Sequence, residues 1–162
     1  GLSKDAPLST TDSTNVPDYE ITQITGIQVN EQGSPERTLT ANTLVHYNQR
    51  DESIIHQPVI TLYQHDQATW RLSAQQATLL KNNHQINLQQ DVLAKRVNSV
   101  PLQLTTQSLS ANQETHILQS NSPVVVSTAQ GQISSLGLEA HTEEGSLQFI
   151  GQVRGTYVLP PR

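Results

Sequence analysis

Residues 72–79, Leu72-Ser73-Ala74-Gln75-Gln76-Ala77-Thr78-Leu79, decide the fold, because apolar or small side chains occupy their first, third, sixth and eighth positions. The same spacing recurs in three stretches that start at residues 39, 104 and 133: Leu39, Ala41, Leu44, His46; Leu104, Thr106, Leu109, Ala111; and Ile133, Ser135, Leu138, Ala140. Each copy continues with a mostly apolar series: Ser53, Ile55, Val59; Ile86, Leu88, Val92; Leu118, Ser120, Val124; and Leu147, Phe149, Val153. A repeat of roughly 30 residues predicts stacked units that bury a core only together.

The spacing within each copy predicts an all-β fold. Residues two apart share one face of a strand, so Leu72 and Ala74 point the same way, as do Ala77 and Leu79. The step of three from Ala74 to Ala77 breaks this alternation. Because the break recurs in every copy, it predicts a corner where the chain passes from one sheet to a facing sheet. Stacked corners predict an all-β architecture of two antiparallel sheets joined along a fold line, an elongated sandwich or jelly-roll-like groove rather than a closed barrel.

Small side chains at inward positions leave two interpretations of the interior. Ala41, Ala74, Ala77, Ala111 and Ala140 stand where a compact core favours Leu or Phe. They predict either an unfilled gap between the sheets or a close approach of the sheets at those points, and the sequence leaves both open. Only 34% of the residues are hydrophobic, so the apolar side chains must be arranged regularly to bury a core.

Composition and motifs argue against several classes of function. The formal net charge is −5 and the nine Lys and Arg residues are scattered, which disfavours nucleic-acid binding. Cysteine is absent, which excludes disulfides and thiol catalysis. No metal-binding, nucleophile or phosphate-binding motif occurs, so we expect no metal, no cofactor and no enzyme activity. Among the six histidines, His46 stands out because its repeat position predicts that it faces the interior.

The chain divides into a linker, one domain and a tail. Residues 1–16 are rich in Ser, Thr, Asp and Pro and predict a disordered linker, whereas residues 159–162 form a short tail. The domain spans residues 17–158. Its first strand, near residues 19–25, and its last, near residues 151–158, are expected at the two ends of the stack. Unpaired backbone groups there would accept a partner sheet.

Several short segments, in their order and spacing, resemble the periplasmic domain of the LptC family of lipopolysaccharide export proteins. They are Pro17-Asp18-Tyr19, Leu39-Thr40-Ala41 followed by Leu44 to Tyr47, Gln57-Pro58-Val59, Trp70-Arg71-Leu72-Ser73-Ala74, Ser122-Pro123-Val124, Gly137-Leu138 and Val153-Arg154-Gly155-Thr156-Tyr157. The resemblance runs from about Pro17 to Val158, nearly all of the predicted domain. Each segment is weakly specific by itself.

The resemblance implies a twisted, V-shaped β-jelly roll of OstA-like repeats that holds the acyl chains of lipopolysaccharide. It implies a domain anchored by one preceding inner-membrane helix. The N-terminal edge would dock on the β-domain of an ABC transporter, and the C-terminal edge would pass lipid to a homologous soluble bridge protein. A homodimer is a further expected assembly. Two alternatives remain: the LptA-like bridge protein itself, and a structural β-repeat domain that binds only protein.

The resemblance and the repeat together assign candidate residues. The lipid-binding positions are Ile24, Leu39, Ala41, Leu44, His46, Ile55, Val59, Trp70, Leu72, Ala74, Leu79, Leu88, Val92, Leu104, Val124, Ile133, Leu147 and Phe149. The partner-docking positions are Tyr19 and Ile21 on the transporter side and Val153, Gly155 and Tyr157 on the bridge side.

Overall fold

The computed structural model describes residues 16–80 and 84–157, which form fourteen antiparallel strands. The strands are β1 (Tyr19–Val29), β2 (Pro35–Tyr47), β3 (Glu52–His56), β4 (Val59–Gln64), β5 (Gln67–Ser73), β6 (Gln76–Leu80), β7 (Gln85–Arg96), β8 (Leu102–Asn112), β9 (Ile117–Ser120), β10 (Val124–Thr128), β11 (Gly131–Ser135), β12 (Gly137–His141), β13 (Ser146–Ile150) and β14 (Arg154–Tyr157). The predicted linker, apart from its last residue, and the predicted tail lie outside the described residues. None of the described residues belongs to a helix long and apolar enough to cross a membrane.

The strands build two layers that share the long strands β1, β2, β7 and β8. Residues 43–47 of β2 pair with β3, whereas residues 37–40 pair with β4. Strand β7 divides between β6 and β5 in the same way, and β8 divides between β9 and β10. The first layer therefore contains β3, β6, β9, β12 and β13, and the second contains β4, β5, β10, β11 and β14, each completed by one half of every long strand.

The predicted corners are confirmed. The alternation slips between Ala41 and Leu44 within β2, between Ala74 and Ala77 at the β5–β6 junction, at residues 106–109 of β8, and at residues 135–138 between β11 and β12. A second set of corners lies at residues 57–58, 90–91, 121–123 and 151–153. Several residues of this second set have positive φ, as the bend requires: Gln57, Gln90, Asp91, Gly151 and Gln152.

Backbone hydrogen bonds continue along the fold line. The N–H of Gln57 donates to the carbonyl of Gln75 at 2.9 Å, and the N–H of Gln75 donates to the carbonyl of Gln90 at 2.9 Å. Farther along, the N–H of Leu136 donates to the carbonyl of Gly151, again at 2.9 Å. The corners therefore stack on one another in the same way as the strands do, and these backbone groups keep hydrogen-bond partners at the bends.

Buried hydroxyls satisfy the corner backbone in the C-terminal half. The Ser120 hydroxyl donates to the carbonyl of Ser122 at 3.1 Å and accepts from the N–H of Ser122 at 3.1 Å. The Thr106 hydroxyl donates to the carbonyl of Pro123 at 3.0 Å, and the Ser135 hydroxyl donates to the carbonyl of Gly137 at 2.6 Å. These positions break the apolar pattern of the repeat because carbonyls turned inward at a corner need a donor.

Candidate functional site

Apolar side chains form continuous rows across the inner face of the first layer. Residues paired across antiparallel strands project from the same face, so the strand register defines each row. One row runs through Tyr19, His46, Ser53, Leu79, Ile86, Ala111, Leu118, Ala140 and Leu147. The row beside it contains Ile21, Leu44, Ile55, Ala77, Leu88 and Leu109 and continues with Leu138 and Phe149.

The second layer carries equivalent rows on its own inner face. Its central row runs through Gly26, Leu39, Ile60, Leu72, Ala94, Leu104, Val126, Ile133 and Gly155. Nearer the fold line lie the pairs Ile24–Ala41, Val92–Thr106 and Val124–Ser135. Facing rows from the two layers therefore enclose one apolar interior that extends from β1 to β13 and β14.

Most of the predicted lipid-binding positions lie on these inner faces. Fully or nearly fully buried are Ile55, Trp70, Leu72, Ala74, Leu88, Val92, Leu104 and Val124. Half-buried and packed against that core are Leu39, Ala41, Leu44, Leu79, Leu147 and Phe149. Ile24 and His46 are also half-buried, and Ile133 is more exposed because it lies next to the edge strand β14.

The prediction that Val59 lines the interior is wrong. Val59 pairs with Thr40 and Ser73 on the outer face, where 37% of its surface is exposed. The corner before β4 is one residue shorter than the equivalent corner in β7, so the buried Pro58 takes the inward position. The equivalent residues Val92 and Val124 remain inward.

The interior is filled rather than open. Ala77 and Ala94 are completely buried, so the two layers approach each other closely at the small side chains. A cavity of about 80 Å³ remains between the layers on the side opposite the fold line. Its apolar wall comprises Ile60, Leu62, Ile86, Ala111 and Leu118. That volume holds a few water molecules but not an acyl chain, so the structure describes a closed interior.

Two polar side chains close the mouth of this cavity. The amide Nε2 of Gln113, from the turn between β8 and β9, donates to Oε2 of Glu36 on β2 at 2.5 Å and so joins the two layers. The amide oxygen of the same side chain, Oε1 of Gln113, is buried without a hydrogen-bond partner among the described residues. An unsatisfied buried oxygen destabilises the closed state, because water would solvate it if the mouth opened.

A half-buried arginine lies beside this bridge. Arg37 pairs with Leu62 across the strands and lines the cavity. Burial lowers the pKa of the Arg37 guanidinium, and the nearby carboxylate of Glu36 raises it in opposition. A buried cation next to an apolar cavity is rare because losing its hydration is costly.

The histidines form pairs with carboxylates at the turns of the first layer. His46 faces inward as predicted, stacks on Tyr19 with ring centroids 4.8 Å apart, and lies 3.0 Å from Asp18. Farther along, Nε2 of His84 lies 2.9 Å from Glu114, and Nε2 of His116 lies 3.2 Å from Glu143. The last two pairs connect consecutive turns of the first layer. Among the described residues, no group of three or more such side chains has the arrangement of a metal site.

Both ends of the stack are unpaired sheet edges within the described residues. Strand β1 pairs only with β2, β13 only with β12, and β14 only with β11. Tyr19 and Ile21 lie on β1 and are exposed, as is Val153 directly before β14, while Gly155 and Tyr157 lie on β14 itself. The predicted docking residues therefore fall at the two free edges.

Sequence reasoning missed the residues at the mouth. Arg37 lies two residues before Leu39, so strand alternation places both on the same face. The sequence could therefore have predicted that Arg37 faces the interior. Glu36 and Gln113 carried no such signal, because their contact joins positions 77 residues apart in the chain. The buried Ala94 and Val126 were also missed, although each lies two residues after an inward position, Val92 or Val124. Ile60 was missed because the incorrect inward assignment of Val59 placed it on the outer face.

Comparisons with known proteins agree with this architecture. A family model described as "Lipopolysaccharide-assembly, LptC-related" matches residues 2–158. The fold is similar to that of LptH, described as the LptA-homologous periplasmic component of the conserved lipopolysaccharide transport device from Pseudomonas aeruginosa. The TM-score is 0.61 at 11% identity, covering 77% of this chain and 95% of that chain, so the likeness concerns the fold alone. Among curated proteins, no sequence matches this chain.

Proposed function

We propose that this chain, which belongs to the LptC-related family of lipopolysaccharide-assembly proteins, holds the acyl chains of lipopolysaccharide between its two layers and passes the lipid along a periplasmic bridge. The domain is a component of lipopolysaccharide transport and faces the periplasm. The observation that carries the proposal is the apolar interior, which continues from one free edge of the stack to the other. We further propose that the domain is non-enzymatic and follows a single inner-membrane helix.

The physical basis of the transfer is hydrophobic burial. Each methylene removed from water contributes about 0.8 kcal/mol, so a lipid held by several acyl chains leaves into water extremely slowly. Transfer therefore requires a second apolar interior placed directly in line with the first. Docking of sheet edges provides that alignment, because an added strand continues both the hydrogen-bonded ladder and the inner apolar rows.

The two free edges then have different partners. We assign the β1 edge to the β-domain of the inner-membrane ABC transporter and the β13–β14 edge to the homologous soluble bridge protein. Lipid would enter near β1 and leave near β14. The same unpaired edges would also allow two copies of the domain to pair as a homodimer when other partners are absent.

Charged substitutions at the edges should separate the two docking events. Ile21→Lys should weaken binding of the transporter β-domain about tenfold, since a lysine on an edge strand opposes strand addition. Val153→Lys should do the same for the bridge protein. Both residues are exposed, by 47% and 55% respectively, so the fold should be retained. Affinities of each variant for each partner provide the measurement.

Each edge variant serves as the control for the other. The assignment requires that Ile21→Lys leaves bridge-protein binding unchanged and that Val153→Lys leaves transporter binding unchanged. Equal weakening of both partners by either variant would count against it, as would exchanged effects.

A photo-crosslinking amino acid at position 149 should capture lipopolysaccharide efficiently, whereas the same amino acid at position 148 should not. Phe149 is half-buried against the core, and Gln148 beside it on β13 is exposed on the opposite face. The two positions therefore probe opposite faces of the sheet at the same place along the stack. Crosslinked lipid is detected as a mass shift on denaturing gels.

Strong crosslinking at position 148 with none at position 149 would contradict the proposal that lipid lies between the layers. Absence of crosslinks at both positions, together with intact binding of the protein partners, would favour a structural domain that binds only protein. Position 55, on the fully buried Ile55, provides an additional inner-face site in the N-terminal half.

A further inference from the structure

The cavity is amphipathic, and its polar boundary carries one arginine, Arg37, together with Glu36, Glu143 and His116. Its inner wall consists of apolar side chains from both layers, among them Ile60 and Leu118. Arg37 lies where this wall meets the polar mouth, which continues outward past Gln64 and His65. An apolar space that ends in a half-buried cation matches a ligand with a hydrocarbon chain and an anionic group at one end.

Within residues 16–80 and 84–157, the Arg37 side chain has neither a hydrogen bond nor an ion pair. The other charged groups at the mouth are three carboxylates, of which Asp66 is exposed and the other two are engaged. Glu36 accepts a hydrogen bond from Gln113, and Glu143 lies 3.2 Å from Nε2 of His116. Only the longer-range attraction of Glu36 supports the buried guanidinium.

Other arginines in the described part of the chain have partners or point to water. Arg50 lies over the Tyr47 ring and 3.8 Å from Glu52, and Nε of Arg96 donates to the carbonyl of Val100 at 2.8 Å. Arg71 and Arg154 are exposed. Arg37 therefore combines burial, a cavity and unused donors in a way that none of these does.

We propose that Arg37 is an anion subsite of the cavity, which takes a phosphate group of an acylated lipid while an acyl chain enters between the layers. This inference rests on the proposed function and adds the polar end of the ligand. A guanidinium binds phosphate through two parallel N–H···O bonds, and partial burial strengthens the attraction. The bound phosphate would supply the partner that the structure leaves Arg37 without.

The test compares Arg37→Gln with Arg71→Gln, which removes the same charge from the outer face. The probes are an acylated glucosamine disaccharide with phosphates and the same lipid with its phosphates removed. Arg37→Gln should bind the phosphorylated lipid about tenfold more weakly and the dephosphorylated lipid with unchanged affinity. Arg71→Gln should bind both lipids like the unsubstituted protein. Arg37→Lys should retain part of the affinity, because it keeps the charge but loses the two-pronged geometry.

Equal affinity of Arg37→Gln and the unsubstituted protein for the phosphorylated lipid would overturn the subsite. So would an equal loss for both lipids, which would mean that Arg37 only supports packing. Full competition by millimolar inorganic phosphate would assign the site to a free anion and overturn the lipid source. If the unsubstituted protein binds neither lipid, the proposed function fails and the subsite fails with it. Thermal unfolding of each variant shows that the fold is retained.

Discussion

Joining the two layers across the mouth of the cavity is expected to abolish lipid binding. The interior is filled in this structure, so acyl chains can enter only if the layers separate on the side opposite the fold line. The side chains of Glu36 and Gln113 face each other there, and Nε2 of Gln113 lies 2.5 Å from Oε2 of Glu36. Because the chain has no cysteine, Glu36→Cys with Gln113→Cys creates a unique pair for a short bismaleimide. Crosslinking should lower the apparent affinity for lipopolysaccharide at least about a hundredfold, since apparent affinity scales with the open fraction.

The matched control places the same crosslink within one layer. Gln119 and Glu139 are directly paired on β9 and β12, so Gln119→Cys with Glu139→Cys joins two strands without bridging the layers. That variant, and each single-cysteine variant treated with reagent, should bind lipid normally. Full binding by the crosslinked mouth variant would show that lipid does not enter through this side.

The closed interior and the proposed lipid site are compatible because the same side chains serve both states. Without lipid, the inner rows of one layer cover those of the other, at roughly 25 cal/mol for each Å² of apolar surface removed from water. With lipid, acyl chains would replace the opposite layer as the covering surface. Opening at the mouth would expose the half-buried residues first, while the corner backbone could remain hydrogen-bonded along the fold line. We therefore expect the fold line to act as the hinge and the Glu36–Gln113 hydrogen bond to hold the mouth closed.

The first set of corners was predictable from the sequence because each one changes the parity of the apolar pattern. Ala74 and Ala77 both face inward, yet they are three residues apart, and only a bend or bulge allows that. The same slip at four aligned positions excluded chance. The alternation also identified nearly all inner-face residues, since the side-chain direction in a strand is a local property.

The second set of corners escaped prediction because most of them preserve parity. Leu88 and Val92 both face inward and are four residues apart, as they would be in a straight strand. The bend lies in Gln90 and Asp91, which both adopt positive φ. Because the bend contains two residues, the side chains before and after it keep the alternation of a straight strand. The corner at Gln57 and Pro58 is one residue shorter and shifts the alternation by one. Aligning the repeat copies therefore placed Val59 at an inward position, although it faces outward.

The polar interior residues were unpredictable for a different reason. Ser120 and Ser135 bond to backbone atoms of the corners, which exist only once the chain is folded. The Glu36–Gln113 contact likewise depends on how closely the two layers approach. Sequence patterns report which face a side chain occupies, but not the distance between faces, and the question of a gap between the sheets could be settled only in three dimensions.

Leu88→Ala is expected to cost about 2–5 kcal/mol of unfolding free energy, the range for truncating a buried leucine. Leu88 is fully buried in β7, between Ala77 on one side and Leu109 on the other. Because its β6 neighbour is alanine, no larger side chain beside it on that strand can fill the void, so the upper half of the range is expected. Chemical denaturation provides the measurement, with Val125→Ala on the outer face as the control.

Val125→Ala should change the unfolding free energy by less than about 1 kcal/mol, because its side chain is already partly in water. Similar losses for both variants would contradict the assignment of inner and outer faces. Lipid binding provides a second readout. If lipid fills the space between the layers and binds only folded protein, saturating lipopolysaccharide should reduce the difference in stability between Leu88→Ala and the unsubstituted protein. It should leave the small difference between Val125→Ala and the unsubstituted protein unchanged, because that residue lies outside the space that lipid would occupy.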